Sequence, residues 1–485
     1  MKKILLILLV LFVASSCTKL DEMNEDTKNP SKVPSETLFT NAQRELADQL
    51  ASINVNTNVF KLFAQYITET TYTDEANYDV VNRTIPDNAW RTLYKDVLMD
   101  LKESARVMDT EPAPILDSDK KNFANRKAVV DILRVYTYAR LLAMFGNIPY
   151  TEALDINNVN PKYDDAASVY KSLFASLDAD IATLTAGAGE GSFTGGADII
   201  YNGDDAKWLM FANGLKLKMA IQTSDMSPLD AADLNKAIQD AAMGVFTSSA
   251  DNALFNYLGA TPNTNPLYLD LVASGRHDFV ATNTMVDIML AKNDTIRLDM
   301  YYTKVADTVA SEAFKGGPYG YNNTYSDYSH INSTLEDPTF PCVLMDYTEI
   351  QFYLAEAAVK GLGGINGPSA FYDAAVTSSF EYWGSDAATA AAYILADAPY
   401  VDINSIGEQA WIAYYNRGFF GWTTWRRIDV PTLNDPPNNY IGLGKFPTRY
   451  IYPINEQTLN KANRSAAAAA IGGDFQDTKL FWDIK

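Results

Sequence analysis

The side chains in this chain best suited by type and spacing to chemistry are tyrosines, of which there are 29. Tyr72, Asp74, Tyr78, Asn82 and Arg83 stand together in an early segment, and Tyr319, Tyr321, Asn322, Asn323, Tyr325 and Tyr328 in a later one. Aromatic faces stack on the axial C–H groups of sugar rings, while Asp, Asn and Arg at the edge exchange hydrogen bonds with hydroxyls. The same mixture also suits peptides. This is the chemistry of capture, and it breaks no bond.

The residues that break bonds are scarce. His277 and His330 are the only histidines among 485 residues, and no HExxH, GxSxG, GxxxxGK[ST] or CxxC motif occurs. Gly361, Gly363, Gly364 and Gly367 follow a helical pattern instead of a strand, the wrong setting for a dinucleotide loop. Sixty acidic residues make paired carboxylates a matter of chance, so no glycosidase pair stands out. The expectation is a protein that is not an enzyme, with no cofactor and no assigned metal site. Sixty acidic residues against 39 basic ones give a net charge of -21. A surface of that sign repels phosphate backbones, which excludes nucleic acid as a partner, and it disfavours anionic lipid heads.

The elements that must position these segments are helical. Ala128, Ile132, Val135, Ala139 and Leu142 fall in steps of four and three and predict a helix stopping near Gly146. Val169, Leu173, Leu177, Ile181 and Leu184 repeat the pattern, as do Trp208, Phe211, Leu215 and Met219. Ile350, Leu354 and Ala357 predict a helix ending near Gly361, and Trp411, Tyr415, Gly418, Trp422 and Trp425 predict one more. That last spacing places the tryptophans in a core stripe instead of a stacking platform. Trp90, beside Leu93, Tyr94 and Val97, reads as packing too. Arg417, Arg426 and Arg427 lie off the stripe and are expected to pair with carboxylates. Strand-like alternation is rare, with Tyr450 to Pro453 one short candidate. The fold class is predominantly all-α. Successive helices of this length suggest helix pairs stacked as a superhelix, although the tetratricopeptide signature spacing is absent. Asp251 to His277 and Ala313 to Pro341 are long, aromatic segments rich in Asn, Gly and Pro, and long segments of this kind are often functional. No linker divides the chain.

The N-terminus carries an export pattern: Lys2 and Lys3, the apolar run Ile4 to Val13, then Ala14, Ser15 and Ser16 before Cys17. The run is half the ~20 residues a membrane-spanning helix needs. Small residues directly before a cysteine resemble the bacterial lipobox, with Ala14 where leucine is usual. This reading makes residues 1–16 a lipoprotein signal peptide, Cys17 the acylated residue and residues 17–36 an acidic tether to a single domain at 37–485. With Cys17 acylated, Cys342 has no partner in the chain and is expected to be a buried, inert thiol.

Several separated segments resemble the SusD/RagB family of outer-membrane lipoproteins, in its SusD-like branch. Phe145-Gly146-Asn147-Ile148-Pro149-Tyr150-Thr151-Glu152-Ala153 is similar to the family's FGDIPYSEA segment. Asp346-Tyr347-Thr348-Glu349 running into Tyr353-Leu354-Ala355-Glu356-Ala357 resembles YAEVLLIYAEA. Glu408 to Trp411, Arg417 to Phe419 and Trp422 to Arg427 resemble WIALFGQGFEAWNEWRR, and Arg449 to Pro453 resembles RRFLYP. Two departures are Asn293-Asp294-Thr295-Ile296-Arg297, where the family often has Asn-Asp-Pro-Arg, and the alanine run from Ser465 to Ala470. The resemblance implies four tetratricopeptide-like helix pairs facing a partner SusC-like TonB-dependent transporter, with a ligand face of irregular segments on the other side. It implies a lipid-anchored, cell-surface protein of the outer membrane that captures an oligosaccharide and passes it to that transporter. A peptide ligand, or a structural surface role without ligand, would use the same scaffold.

Overall fold

The structure, a computed structural model, describes residues 33–307 and 311–485. The expected signal peptide, Cys17 and residues 17–32 of the expected tether lie outside it. Among the described residues the fold is helical, as the apolar periodicity predicts, with three small two-stranded sheets.

Four helix pairs form the frame: α1 (Ser35–Ala51) with α2 (Met99–Met108), α3 (Asp117–Phe145) with α4 (Ala166–Ala186), α5 (Asp205–Gln222) with α6 (Ala231–Ala242), and α7 (Tyr347–Val359) with α8 (Pro368–Tyr382). Successive pairs stack through α2 on α3, α4 on α5 and α5 on α7, so their apolar stripes merge into one core. Val135, Leu142, Leu173, Leu177, Trp208 and Phe211 are all buried. Aspartates start four of these eight helices. The carboxylates of Asp165, Asp204, Asp230 and Asp346 each accept a free backbone N–H of the first turn. Gly146, in the left-handed region at φ +83°, ends α3 at the predicted position.

Two predicted elements differ. The stripe from Trp411 to Trp425 belongs to two helices, α9 (Ile403–Ala413) and α10 (Gly418–Ile428). Asn416 turns the chain left-handed at φ +69° between them. Gly418 lies so close to the backbone of Phe60 and Lys61 that a Cβ there would meet the Lys61 nitrogen at 2.3 Å. The period survives the break because both helices face the same core: Trp411 and Trp422 are fully buried. Tyr450 to Pro453 forms no strand; Tyr450 and Tyr452 are buried aromatics in an extended segment.

The core is rich in aromatic rings and buried guanidiniums. Phe60 packs against Phe419, Trp422 and Tyr450 at centroid distances of 5.0, 4.9 and 4.9 Å. Arg417 pairs with Asp346 at 2.9 Å and Arg427 with Glu356 at 2.8 Å, as expected of residues off the stripe. Arg426 does not pair in this way. It donates to the carbonyls of Ala143 and Thr448 at 2.8 and 2.7 Å and lies over the rings of Trp422 and Trp482. Asp294 and Arg297, where the chain departs from the family spacing, form a fully buried pair at 2.5 Å. Cys342 is buried in a short strand, and burial pushes its thiol up to about 12, so it is inert as expected.

Trp422 is the central ring of this aromatic cluster, and its indole N–H donates to the Pro447 carbonyl at 2.7 Å. Trp422→Ala is expected to cost about 3 to 5 kcal/mol as a core truncation, read as a lowered midpoint in denaturant at unchanged slope.

Candidate functional site

Beneath α10 the short helix Phe60–Phe63 leads into β1 (Ile67–Glu69), which pairs antiparallel with β2 (Phe279–Ala281). This three-residue ladder gathers segments distant in sequence. Beyond its end, the Thr70 amide donates to the Asp278 carbonyl at 2.9 Å and the Thr70 hydroxyl to the His277 carbonyl at 2.8 Å. On the outer side of β2, Gly317 donates to the Ala281 carbonyl and Ala281 to the Ser329 carbonyl, both at 2.8 Å. Gly316 is required there, since a Cβ would sit 2.3 Å from the Thr282 carbonyl oxygen. The two tyrosine-rich segments are thereby fixed to one small sheet. The Asn77 amide seals them by donating to the Gly320 carbonyl at 2.8 Å.

The structure sorts the sequence candidates into three groups. Tyr72 and Arg83 line an open cleft of about 180 Å³ together with Asn54, Asn56, Asp270, Arg276 and Asp278. Tyr72 is 71% exposed and holds a left-handed backbone at φ +55°, a conformation that costs roughly 1–2 kcal/mol for a residue with a Cβ. Such strain is characteristic of functional positions.

The second group lies outside the cleft lining. Asp74 and Asn82 are exposed on the same segment, and the Asn82 amide donates to Asp79 at 2.6 Å. Tyr321 is 53% exposed. Tyr325 is half-buried in a stack of three rings, between His277 at 4.3 Å and His330 at 3.6 Å, so both histidines of the chain serve as aromatic walls. Tyr328 is half-buried under the Lys315 ammonium, which lies 5.1 Å from its ring centre.

The third group is buried and presents no face to a ligand. Tyr78 packs edge-on against Phe63 and accepts a hydrogen bond from Gln65 at 3.1 Å. Tyr319 donates to the Leu62 carbonyl at 2.8 Å, and Asn323 donates to the carbonyls of Glu69, Pro318 and Tyr321. These three residues hold the site together from behind.

The cleft residues absent from the sequence reading are Asn54, Asn56, Asp270, Arg276 and Asp278. Arg276 and Asp278 form a forked ion pair, Nε to Oδ2 at 2.5 Å and Nη2 to Oδ1 at 3.2 Å. Their i, i+2 spacing just before a strand was a usable signal, because an extended chain puts such residues on one face. Asn54 and Asn56 come together in the turn after α1, the Asn54 side chain accepting from the Asn56 amide at 2.9 Å.

Below the cleft two carboxyls face each other. Glu69 is buried, and burial followed by the charge of Glu75 holds its pKa well above the usual carboxylate range. Arg83 ion-pairs with Glu75. Burial raises Glu75 as well, against the opposing pull of Arg83, so the pair favours holding a proton, with Glu69 the more strongly raised of the two. Burial also raises Asp270 and lowers the ammonium of Lys61, which donates to the carbonyls of Ala51 and Ser52, to about 7.

Two roomier clefts, of about 650 and 670 Å³, open elsewhere on the molecule. The first is walled by Phe255 and Tyr257 and the second by Trp383, rings that are 4%, 6% and 4% exposed and so offer little stacking surface, with the half-buried Phe314 as the second cleft's one more open ring.

A helix-pair frame carrying an open, aromatic cleft with paired charges defines a binding protein. Residues 27–453 match the SusD-like family model described as starch-binding associating with outer membrane, and the chain belongs to that family. Solved structures agree. A chitin-binding protein is 26% identical with a TM-score of 0.79, covering 93% of this chain and 100% of its own. A SusD homolog from Bacteroides uniformis is 23% identical, TM-score 0.77, covering 93% and 99%. A chitin-binding SusD homolog from Flavobacterium johnsoniae is 22% identical, TM-score 0.75, covering 93% and 98%. No curated protein matches. Among the described residues no helix is long and apolar enough to cross a membrane.

The buried proton gives a signed prediction. A carboxyl whose folded pKa is raised contributes stability that is present below its unfolded value and lost as pH rises through the folded one. Glu69→Gln keeps the acceptor for the Ala76 amide, now at 2.9 Å, and removes the titration. The melting temperature of the variant is expected to fall less between about pH 5 and about pH 8 than that of the parent. Parallel curves for the two proteins would place the proton elsewhere.

Proposed function

We propose that this chain is a cell-surface lipoprotein, anchored through Cys17, that captures an oligosaccharide at the cleft beside Tyr72 and delivers it to a SusC-like TonB-dependent transporter. The observation that carries the reading is the convergence on one ladder of an exposed tyrosine, two guanidinium–carboxylate pairs and two asparagines. Family membership supports the glycan class and the outer-membrane setting. The chitin-binding relative at 26% identity makes chito-oligosaccharides the first ligands to test. A ligand that is handed on must also be released, so micromolar to millimolar affinity suffices, about 4 to 8 kcal/mol. A few stacking and hydrogen-bonding contacts supply that.

Calorimetry on two tyrosine variants tests the site. Tyr72→Ala is expected to weaken glycan binding about tenfold, the loss of one stacking platform and its buried area, with an unchanged melting temperature. Tyr78→Ala is expected to lower the melting temperature, because its ring is fully buried. Normal glycan binding by the Tyr72 variant would move the site to another surface, and binding of peptides alone would replace the ligand class.

The anchor and the partner have their own readouts. Native protein is expected to have the mass of a chain that starts at an acylated Cys17, and Cys17→Ala is expected to leave the membrane fraction. Mild detergent extraction is expected to recover a TonB-dependent barrel with it. Recovery of the lipoprotein alone, under conditions that preserve related complexes, would favour a stand-alone role.

A further inference from the structure

The cleft has a charge pattern that bears on which glycans it takes. Its two cations are already engaged: Arg276 is forked onto Asp278 and Arg83 lies against Glu75. Asp270 adds a further carboxyl to the lining, and Asp74 stands exposed on the same segment. Lys61, behind the wall, spends its protons on two backbone carbonyls. Even with Glu69 held towards its protonated form, Asp270 and Asp278 of the lining and Glu75 beneath it outnumber the two guanidiniums, each of which has a carboxylate partner.

A uronate or a sulfate ester entering here would meet the carboxylates of Asp270 and Asp278, and the free N–H groups of either guanidinium lie beside a carboxylate that already offsets its charge. A neutral vicinal diol meets the opposite situation. Each hydroxyl both donates and accepts, and a guanidinium–carboxylate pair presents N–H donors and oxygen lone pairs side by side. The Arg276–Asp278 pair therefore complements a diol without either partner giving up the other. Asn54 and Asn56 extend the same donor and acceptor alternation along the cleft.

We infer that the cleft is built for uncharged glycans and discriminates against glycans carrying carboxylate or sulfate groups. The inference rests on the reading of this cleft as a glycan site and narrows it to a substrate class.

The experiment titrates the purified full chain with matched pairs of oligosaccharides that differ only in charge: hexose oligomers against their uronic acid counterparts, and galactose oligomers against their sulfate esters. A neutral member is expected to bind at least about tenfold more tightly than its charged counterpart, the mark of like charges brought together. Asp278→Asn releases Arg276, and the near-isosteric exchange at this half-buried side chain is expected to spare the fold. That variant is expected to lose affinity for the neutral ligand and gain it for the charged one, with a salt dependence the parent lacks. Should Asp278→Asn fail to fold, Arg276→Gln makes the reverse test, since leaving the acid unpaired must widen the preference for the neutral member.

Tighter binding of a charged member by the parent, abolished by Tyr72→Ala, would overturn the inference and leave the glycan site standing. Binding of neither member of any pair, with peptides bound instead, would overturn the glycan reading and this inference together.

Discussion

The site depends on one short piece of backbone pairing, the ladder between Ile67–Glu69 and Phe279–Ala281. Three residues a strand are too few to persist in water by themselves. The ladder holds because all six residues are buried and because the chain enters it from Phe60–Phe63, which lies under Gly418 and Trp422. Order passes in sequence from the helix pairs to the aromatic core, from the core to the ladder, and from the ladder to the irregular segments on either side. A long segment without periodic structure stays in one place here because its backbone amides and carbonyls end on the ladder or beside it.

That dependence explains how much of the molecule could be read from its sequence. The helices were legible because burial imposes a period of 3.6 whether or not the helix is interrupted, which is why one predicted stripe could belong to both α9 and α10. The irregular segments carry no period. Tyr72 and Tyr321 were singled out by residue type, and so were Tyr78 and Tyr319, yet the first two are exposed and the others are core. A tyrosine is at home in both places: its ring favours burial and its hydroxyl needs only one partner, such as the Leu62 carbonyl that Tyr319 reaches. Nothing in composition separates the two outcomes; the ladder does. Arg276 and Asp278 had a legible spacing, but their meaning came from β1, some two hundred residues earlier in the chain.

The distribution of charge follows the same division between core and cleft. A protein with 21 more acidic than basic residues still buries several arginines. Arg297, Arg417 and Arg427 are held by carboxylates within 3 Å. Removing one partner of such a pair would strand a charge in a medium that cannot solvate it. Arg426 shows another solution, two carbonyls and two indole faces. These cations join helices to the C-terminal segments, and so they serve the frame.

At the cleft the same pairing of acid and base recurs: Arg276 and Asp278 pair at the surface, where such a pair contributes little to stability, and Arg83 reaches down to a buried Glu75. The consequence of this pairing is preorganisation. Arg276 is held by two contacts to Asp278, and Arg83 by Glu75, whose buried neighbour Glu69 is raised well above the usual carboxylate range, which lessens repulsion between the two acids. Side chains already ordered by one another lose little further freedom when a ligand arrives. A shallow cleft with few contacts can then be selective without being tight, which is what a protein that must release what it has captured requires.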